Sequence, residues 1–296
     1  MLQTTSPRTR APVDWVDPLI DSANRRFFFL TTASHPFGMV NLSPDTRVGQ
    51  EAWGSGYRYD DEHVHWFSHV HAWQLCGIPV MPTWGELKGH MGSAHYKSRF
   101  SHDDEVARPG YHAVTLQEYG IRAELTATTR VGFHRYTFDR DGEAWIIFGL
   151  GEAIMLPMSD CFVEQVGGRE LSGYVENERT RRRPKRTKIF FDASFDREIQ
   201  EIRAWRDGQF EPFHTAMAGP GIGVAVRFTV TRGDVIQLKV AISYCGRDQA
   251  RQNRTTELPG WDFAAVRDDA RTTWNQWLGR IEVEGGTDAQ KTKFYT

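Results

Sequence analysis

No stretch of this chain stays apolar for anything near the ~18 residues that a membrane-crossing helix needs, so no spanning helix is expected. Cysteine is scarce. Cys76, Cys161 and Cys245 are odd in number, widely spaced and without a C-x-x-C pair, which argues against a disulfide framework and a cysteine zinc site. Neither sign of charge prevails: 36 Lys and Arg against 38 Asp and Glu leave a net charge of −2, without the basic excess of a dedicated nucleic-acid binder. The first dozen residues lack the apolar core of a secretory signal, so a cytoplasmic chain is expected, with export left open. Two N-x-[ST] sequons, at Asn41 and Asn253, are read as chance matches on that basis. Familiar nucleophile and nucleotide motifs are missing too: there is no G-x-S-x-G elbow, no P-loop and no dinucleotide fingerprint. Gly219-Pro-Gly-Ile-Gly223 leads into a strand and cannot aim a helix N-terminus at phosphate.

What is present is aromatic. The 296 residues include 10 Trp, 9 Tyr and 18 Phe, in a length that allows one large domain or two small ones. Residues 1–12 read as a disordered leader, and the middle of the chain as strands. Ile121, Ala123, Leu125 and Ala127 alternate with polar partners, and Val131 to Phe138 is placed to pair with them. Trp145 to Leu150 is a further apolar strand. Ile222 to Val230 and Ile236 to Tyr244 alternate cleanly around Arg232-Gly233-Asp234, which predicts a hairpin. After Pro259-Gly260 the period changes. Asp262 is a candidate cap, and Phe263, Val266, Ala270, Trp274, Trp277 and Leu278 predict a helix ending near Gly279. A short strand over Ile281 to Glu284 and the first turns of another helix from Asp288 follow, and the chain reads as cut where that helix begins. The basic run Glu178 to Lys188 reads as a solvated loop or a guarded strand edge.

Three groups of residues could carry chemistry. His63, His65, His69 and His71 form two H-x-H pairs; on a strand each pair shares a face and could hold a transition metal, although structural histidines are the commoner reading. The stretch Trp53-Gly-Ser-Gly-Tyr-Arg-Tyr59, with Trp66, Trp73, Gln74 and Trp84 after it, offers indole platforms beside directed polar groups, as a sugar pocket requires. Its rival is a Gly-rich turn between core strands. Asp60-Asp-Glu62 and His102-Asp-Asp-Glu105 are acidic clusters read as solvated loops.

Several segments, in order and spanning about residues 13 to 296, resemble the N-terminal domain of glycoside hydrolase family 92, the calcium-dependent exo-α-mannosidases. They are Val16-Asp-Pro-Leu-Ile20, Pro36 to Arg47, Ser55-Gly-Tyr-Arg-Tyr59, Phe67-Ser-His-Val-His71, Tyr96-Lys-Ser-Arg-Phe-Ser-His102, Pro109-Gly-Tyr111, Tyr119 to Thr128 and Arg130 to Phe138. Leu258-Pro-Gly-Trp-Asp-Phe263 and Lys291-Thr-Lys-Phe-Tyr295 complete the set.

The resemblance implies a mostly β fold, a large β-sandwich over residues 13–257. Residues 258–296 would form a helical linker toward an (α/α)6 catalytic barrel not contained in this chain. It implies an inverting hydrolase that removes terminal α-linked mannose from a glycan. General acid, general base and calcium would belong to that barrel, so no catalytic or metal-ligating residue is assigned here. Loops near Trp53 and after His69 would face the sugar, making Trp53, His69, His71 and Trp73 the candidate substrate-binding residues. The chain departs from the family pattern at Ala72-Trp-Gln-Leu-Cys-Gly-Ile-Pro79, where a Trp and a Gln replace small residues. The alternative is a stand-alone carbohydrate-binding β-sandwich without catalysis. No nucleic acid or membrane is expected as a partner.

Overall fold

The computed structural model describes residues 10–23, 30, 32–49, 56–72, 75–152, 154 and 158–296. Among these, two large antiparallel sheets face one another. The first runs, in spatial order, Ala33–Ser34, Asn41–Asp45, Trp66–Ser68, Val80–Trp84, Gly142–Phe148, Ile222–Val230, Glu201–Arg206 and Gln209–Glu211. The second runs Ala216–Ala218, Met158–Val166, Glu170–Asn177, Thr187–Phe195, Val235–Ser243, Val131–Phe138, Ile121–Ala127, Tyr111–Leu116 and Val106–Arg108. This is the expected β-sandwich.

Alternation builds the space between the sheets. Inward residues of the central strands are fully buried, and Phe148 lies 6.3 Å from Phe191, with Phe195 and Phe228 completing the aromatic cluster. Ile121–Ala127 pairs with Val131–Phe138 as expected. The hairpin expected around Gly233 does not form. Its two strands exist, but Ile222–Val230 pairs with Gly142–Phe148 and Glu201–Arg206 in the first sheet. Val235–Ser243 pairs with Val131–Phe138 and Thr187–Phe195 in the second. Alternation fixes which side chains are buried, not which strand lies alongside. Each strand can therefore face the common core from opposite sheets.

The connection over residues 231–234 is a crossing between sheets, and it has company. Residues 139–141 and 196–200 cross at the same end. The crossings are bonded together: Gly233 N donates to Phe138 O, Phe138 N to Asp234 O, and Arg232 N to an Asp141 carboxylate oxygen 2.7 Å away. Asp196 N donates to Gln237 O. Gly233 has a φ of +92°, a conformation open to glycine at no steric cost.

A second, smaller core lies outside the second sheet. Val131, Phe133 and Ala241 project from its outer face against Leu258 and Phe263. The helix Phe263–Leu278 is the one expected, capped by Asp262, whose side chain accepts from Ala265 N. The helix Arg247–Glu257 lies within the stretch expected to be sandwich. Its sequence carries hardly any apolar residues, and its buried face is Ala250, Asn253 and Arg254. Arg254 binds Asp192 and Glu170 on the strands beneath, and Asn253 donates to Ile242 O at 2.8 Å. The helix Asp288–Tyr295 begins at a capping box of Thr287 and Gln290. Ile281 to Glu284 forms no strand. The basic run after Glu178 is a loop, in which Arg186 pairs with Glu178 at 2.8 Å.

Candidate functional site

The sequence around the candidate residues folds into a buried polar web at one end of the sandwich. Asp45 ends the strand Asn41–Asp45 and is fully buried. Its carboxylate accepts from Ser68 Oγ at 2.5 Å and from His71 Nε2 at 2.7 Å. The other nitrogen of His71 lies 2.7 Å from Asn41 O. Both ring nitrogens thus face acceptors, which calls for the imidazolium. Burial works against that charge, but the Asp45 carboxylate and the Asn41 carbonyl prevail and raise the His71 pKa above its ordinary value.

This pair anchors a loop. Thr46 N and Arg47 N both donate to Gly56 O, closing the chain between them. Gly56 must be glycine. Its φ is +72°, and a Cβ there would stand 1.8 Å from an Asp45 carboxylate oxygen. Arg47 and Asp61 brace the same base, and Arg58 N donates to Thr46 Oγ1 at 2.7 Å.

His69 belongs to a different network. The strand breaks at this residue, between Trp66–Ser68 and Val70–Ala72, so the two H-x-H positions no longer share a face. His69 Nδ1 lies 2.7 Å from Ile78 O and its Nε2 lies 2.9 Å from His134 Nε2; Tyr136 OH lies 2.7 Å from His134 Nδ1. One proton arrangement satisfies every contact: Tyr136 donates to His134, His134 to His69, and His69 to the carbonyl, with both rings neutral. Burial enforces neutrality, lowering His69 to about 4 and His134 well below its ordinary value. Gly132 leaves room for the ring, since a Cβ there would come within 2.8 Å of His69 Cδ2. The web therefore ties the first sheet to the second.

A third cluster centres on Glu105. Its carboxylate accepts from Tyr57 OH at 3.0 Å, lies 2.5 Å from His102 Nδ1 and pairs with His112 at 3.1 Å. Burial would raise the Glu105 pKa, but the two histidines hold it below the usual carboxylate range. On the cluster's outer side His102 stacks on Tyr59, ring centroids 3.9 Å apart, at an open acidic hollow of about 440 Å³ that includes Asp60, Asp61 and Asp103.

The expected site residues divide accordingly. Trp53 and Trp73 lie outside the described residues. His69 and His71 are buried, with every ring nitrogen facing a protein partner, so they hold backbone in place and present no free nitrogen. His65 lies 3.0 Å from Ser93 Oγ, and His63 sits in a separate two-stranded pair with Ser98–Arg99. The four histidines do not converge, and among the described residues no three His, Cys, Asp or Glu side chains gather as a metal site would need. Asp45 and Glu105 are already occupied by protein donors and do not form the cage of ~6–8 oxygens that calcium takes. Sequence reading missed Asp45 and His134, which lie in segments that carried the family resemblance but have nothing in their own neighbours to mark them as buried and paired. Glu105, expected in a solvated acidic loop, instead has a buried side chain because Tyr57, His102 and His112 bond its carboxylate.

Comparison with known proteins gives this fold and web a family. Residues 15–243 match the glycosyl hydrolase family 92 N-terminal domain, and residues 249–296 match the family 92 catalytic domain. The alpha-mannosidase BT3965 of Bacteroides thetaiotaomicron superposes with a TM-score of 0.87 at 25% identity, over 98% of this chain and 41% of that one. The inverting mannosidase BT2199 of Bacteroides thetaiotaomicron VPI-5482 does so with a TM-score of 0.84 at 25% identity, over 98% and 39%. A curated relative, an uncharacterized secreted glycosidase of Arthroderma benhamiae, is 26% identical over 92% of this chain and 38% of its own length. The chain thus spans about two fifths of the length of these relatives. That relative's description as secreted overturns the cytoplasmic expectation. The family match covers both the sandwich and the first helices after it, and the chain belongs to glycosyl hydrolase family 92.

Proposed function

We propose that this chain forms the sandwich and the opening helices of a secreted α-mannosidase that removes terminal α-linked mannose with inversion. The observation that supports this most strongly is the likeness, over 97% of the chain at a TM-score of 0.87, to a family 92 alpha-mannosidase in complex with mannoimidazole. Inversion requires an acid and a base carboxyl ~6.5–9.5 Å apart, with a water between the base and the sugar. In this reading the remainder of the catalytic domain supplies both, together with calcium. It docks where Trp277 and Phe294 on the last two helices, and Ile281 between them, lie exposed.

The sandwich's contribution is to hold loops. The Asp45–His71 pair fixes the two points, Thr46–Arg47 and Gly56, between which Trp53 lies in the sequence, and the His69–His134 pair fixes the chain just before Trp73. Trp53 and Trp73 offer stacking surfaces to the sugar, while His69 and His71 act on it through those loops.

The test uses the full-length protein and an aryl α-mannoside. Calcium-dependent release of mannose, with the β-anomer as first product by NMR, is expected; a retained anomer, or no dependence on calcium, overturns the corresponding part. His71→Asn should lower kcat/KM by roughly tenfold or more through misplaced loops. The 296-residue chain alone should release no mannose. If it binds mannosides tightly and the full-length protein releases none, the binding-module alternative takes its place.

A further inference from the structure

The outer core contains a buried amine. Lys239 sits mid-strand in Val235–Ser243, facing away from Leu238 and Val240, and is only 2% exposed. Phe133 lies directly across the ladder. The Lys239 Nζ donates to Leu258 O at 2.9 Å and stands 3.8 Å from the centroid of the Trp261 ring. A cation at that distance over an indole face is held by the ring's quadrupole. Leu258 and Trp261 lie on either side of Pro259-Gly260, the turn between the helices Arg247–Glu257 and Phe263–Leu278. Nothing packs within 4 Å of the position a Gly260 side chain would take, so the turn is open on that side.

We infer that Lys239 is a latch: by gripping both sides of the Pro259-Gly260 turn, it sets the direction in which the helix Phe263–Leu278, within the part of the chain that matches the catalytic domain, runs from the face of the sandwich. It is a positioning residue and touches no substrate. The inference rests on the family's division of the chain, with the sandwich ending at residue 243 and the catalytic domain beginning at 249, and not on the mannosidase reading.

The surrounding charges give the latch a pH signature. Arg254 faces it from the helix Arg247–Glu257, and its charge is countered by Asp192 on the strand Thr187–Phe195 and by Glu170. Arg135, on Val131–Phe138, is turned onto the Phe263 ring and tied to Glu124. The lysine's own strand carries no other titratable group. Burial, with Arg254 adding to it, lowers Lys239 from 10.5 to about 8. A released lysine returns to water and its ordinary value, so opening takes up a proton between about pH 8 and 10.5. The neutral amine still donates to Leu258 O and sheds the cost of a buried charge. The latch therefore tightens as pH rises through that window.

Hydrogen exchange read by mass spectrometry on the purified protein tests this without any sugar, so its outcome is separate from the fate of the mannosidase reading. In Lys239→Met, amides of the first turns of Phe263–Leu278 should exchange roughly tenfold faster, while those of Ile121–Ala127 and Ile222–Val230 stay unchanged. Trp261→Leu should give the same local loss, and the double variant no more than either. Corrected for intrinsic rates, wild-type protection in that helix should rise from pH 8 to 10, and that of Lys239→Met should stay flat. Equal protection in wild type and both variants overturns the latch, and so does a loss spread evenly over the sandwich. If Lys239→Met does not fold, Trp261→Leu alone decides between the same outcomes.

Discussion

Between the two sheets, Phe148 meets Phe191 and Phe195 ring to ring, and Phe195 in turn meets Phe228. Outside the second sheet, Phe133 and Phe263 share their space with Lys239, Arg254 and Asp192. The inner core is apolar and indifferent to direction: any pair of sheets with this alternation can bury it. The outer core relies on charge-assisted bonds, which reward one geometry and penalise others. The first arrangement suits a scaffold. The second suits a joint, where the helices toward the catalytic domain must leave at a defined angle.

Substitutions can break this contrast in order of expected size. Phe148→Ala empties a fully buried site and should cost about 3–5 kcal/mol in chemical denaturation, with every probe unfolding together. Asp192→Asn removes the charge that holds Arg254 and should cost about 2–3 kcal/mol, with the helix Arg247–Glu257 losing exchange protection before the strands do. If that helix and the strands instead open together, the joint is no more separable than the inner core.

A smaller effect comes from the His69–His134 pair, which bridges the sheets through hydrogen bonds. Both rings titrate below their ordinary value of 6.5 in the fold. A histidine lowered in the folded state contributes stability that is complete above its unfolded pKa and is lost as pH falls through the folded one. For His69 that window runs from 6.5 down to about 4. The thermal stability of His134→Phe should therefore trail wild type at pH 7 and approach it at pH 4.5; parallel curves would show the pair to be inert. The smallest effect is expected at the surface, where Arg186→Ala removes an exposed partner of Glu178 and should leave the denaturation midpoint unchanged.

What could be read from the sequence follows the same division. The strands Ile222–Val230 and Val235–Ser243 and the helix Phe263–Leu278 announce themselves by apolar period, because apolar burial is what shapes them. The helix Arg247–Glu257 does not, because it buries Asn253 and Arg254 against polar partners supplied by distant strands. The histidines are legible as a cluster but not as a web. A bend at His69 sends neighbouring rings to different sheets, and the partners Asp45 and His134 lie 26 and 65 residues away in sequence. The strand-to-strand partners at Gly233 fail for a related reason: two adjacent strands that alternate equally well leave open whether they pair or face each other.

The three crossings at one end of the sandwich, over residues 139–141, 196–200 and 231–234, have a consequence for how this molecule comes apart. Each carries the chain from one layer to the other between neighbouring central strands, as a lock stitch joins two layers of cloth. Neither layer can be lifted away while the stitches hold, and neither can be completed before residues more than 75 positions apart have met. Assembly is therefore all-or-nothing and slow in the manner of long-range β topologies. A single cut between Thr231 and Asp234 would sever one stitch and leave the layers joined by the other two.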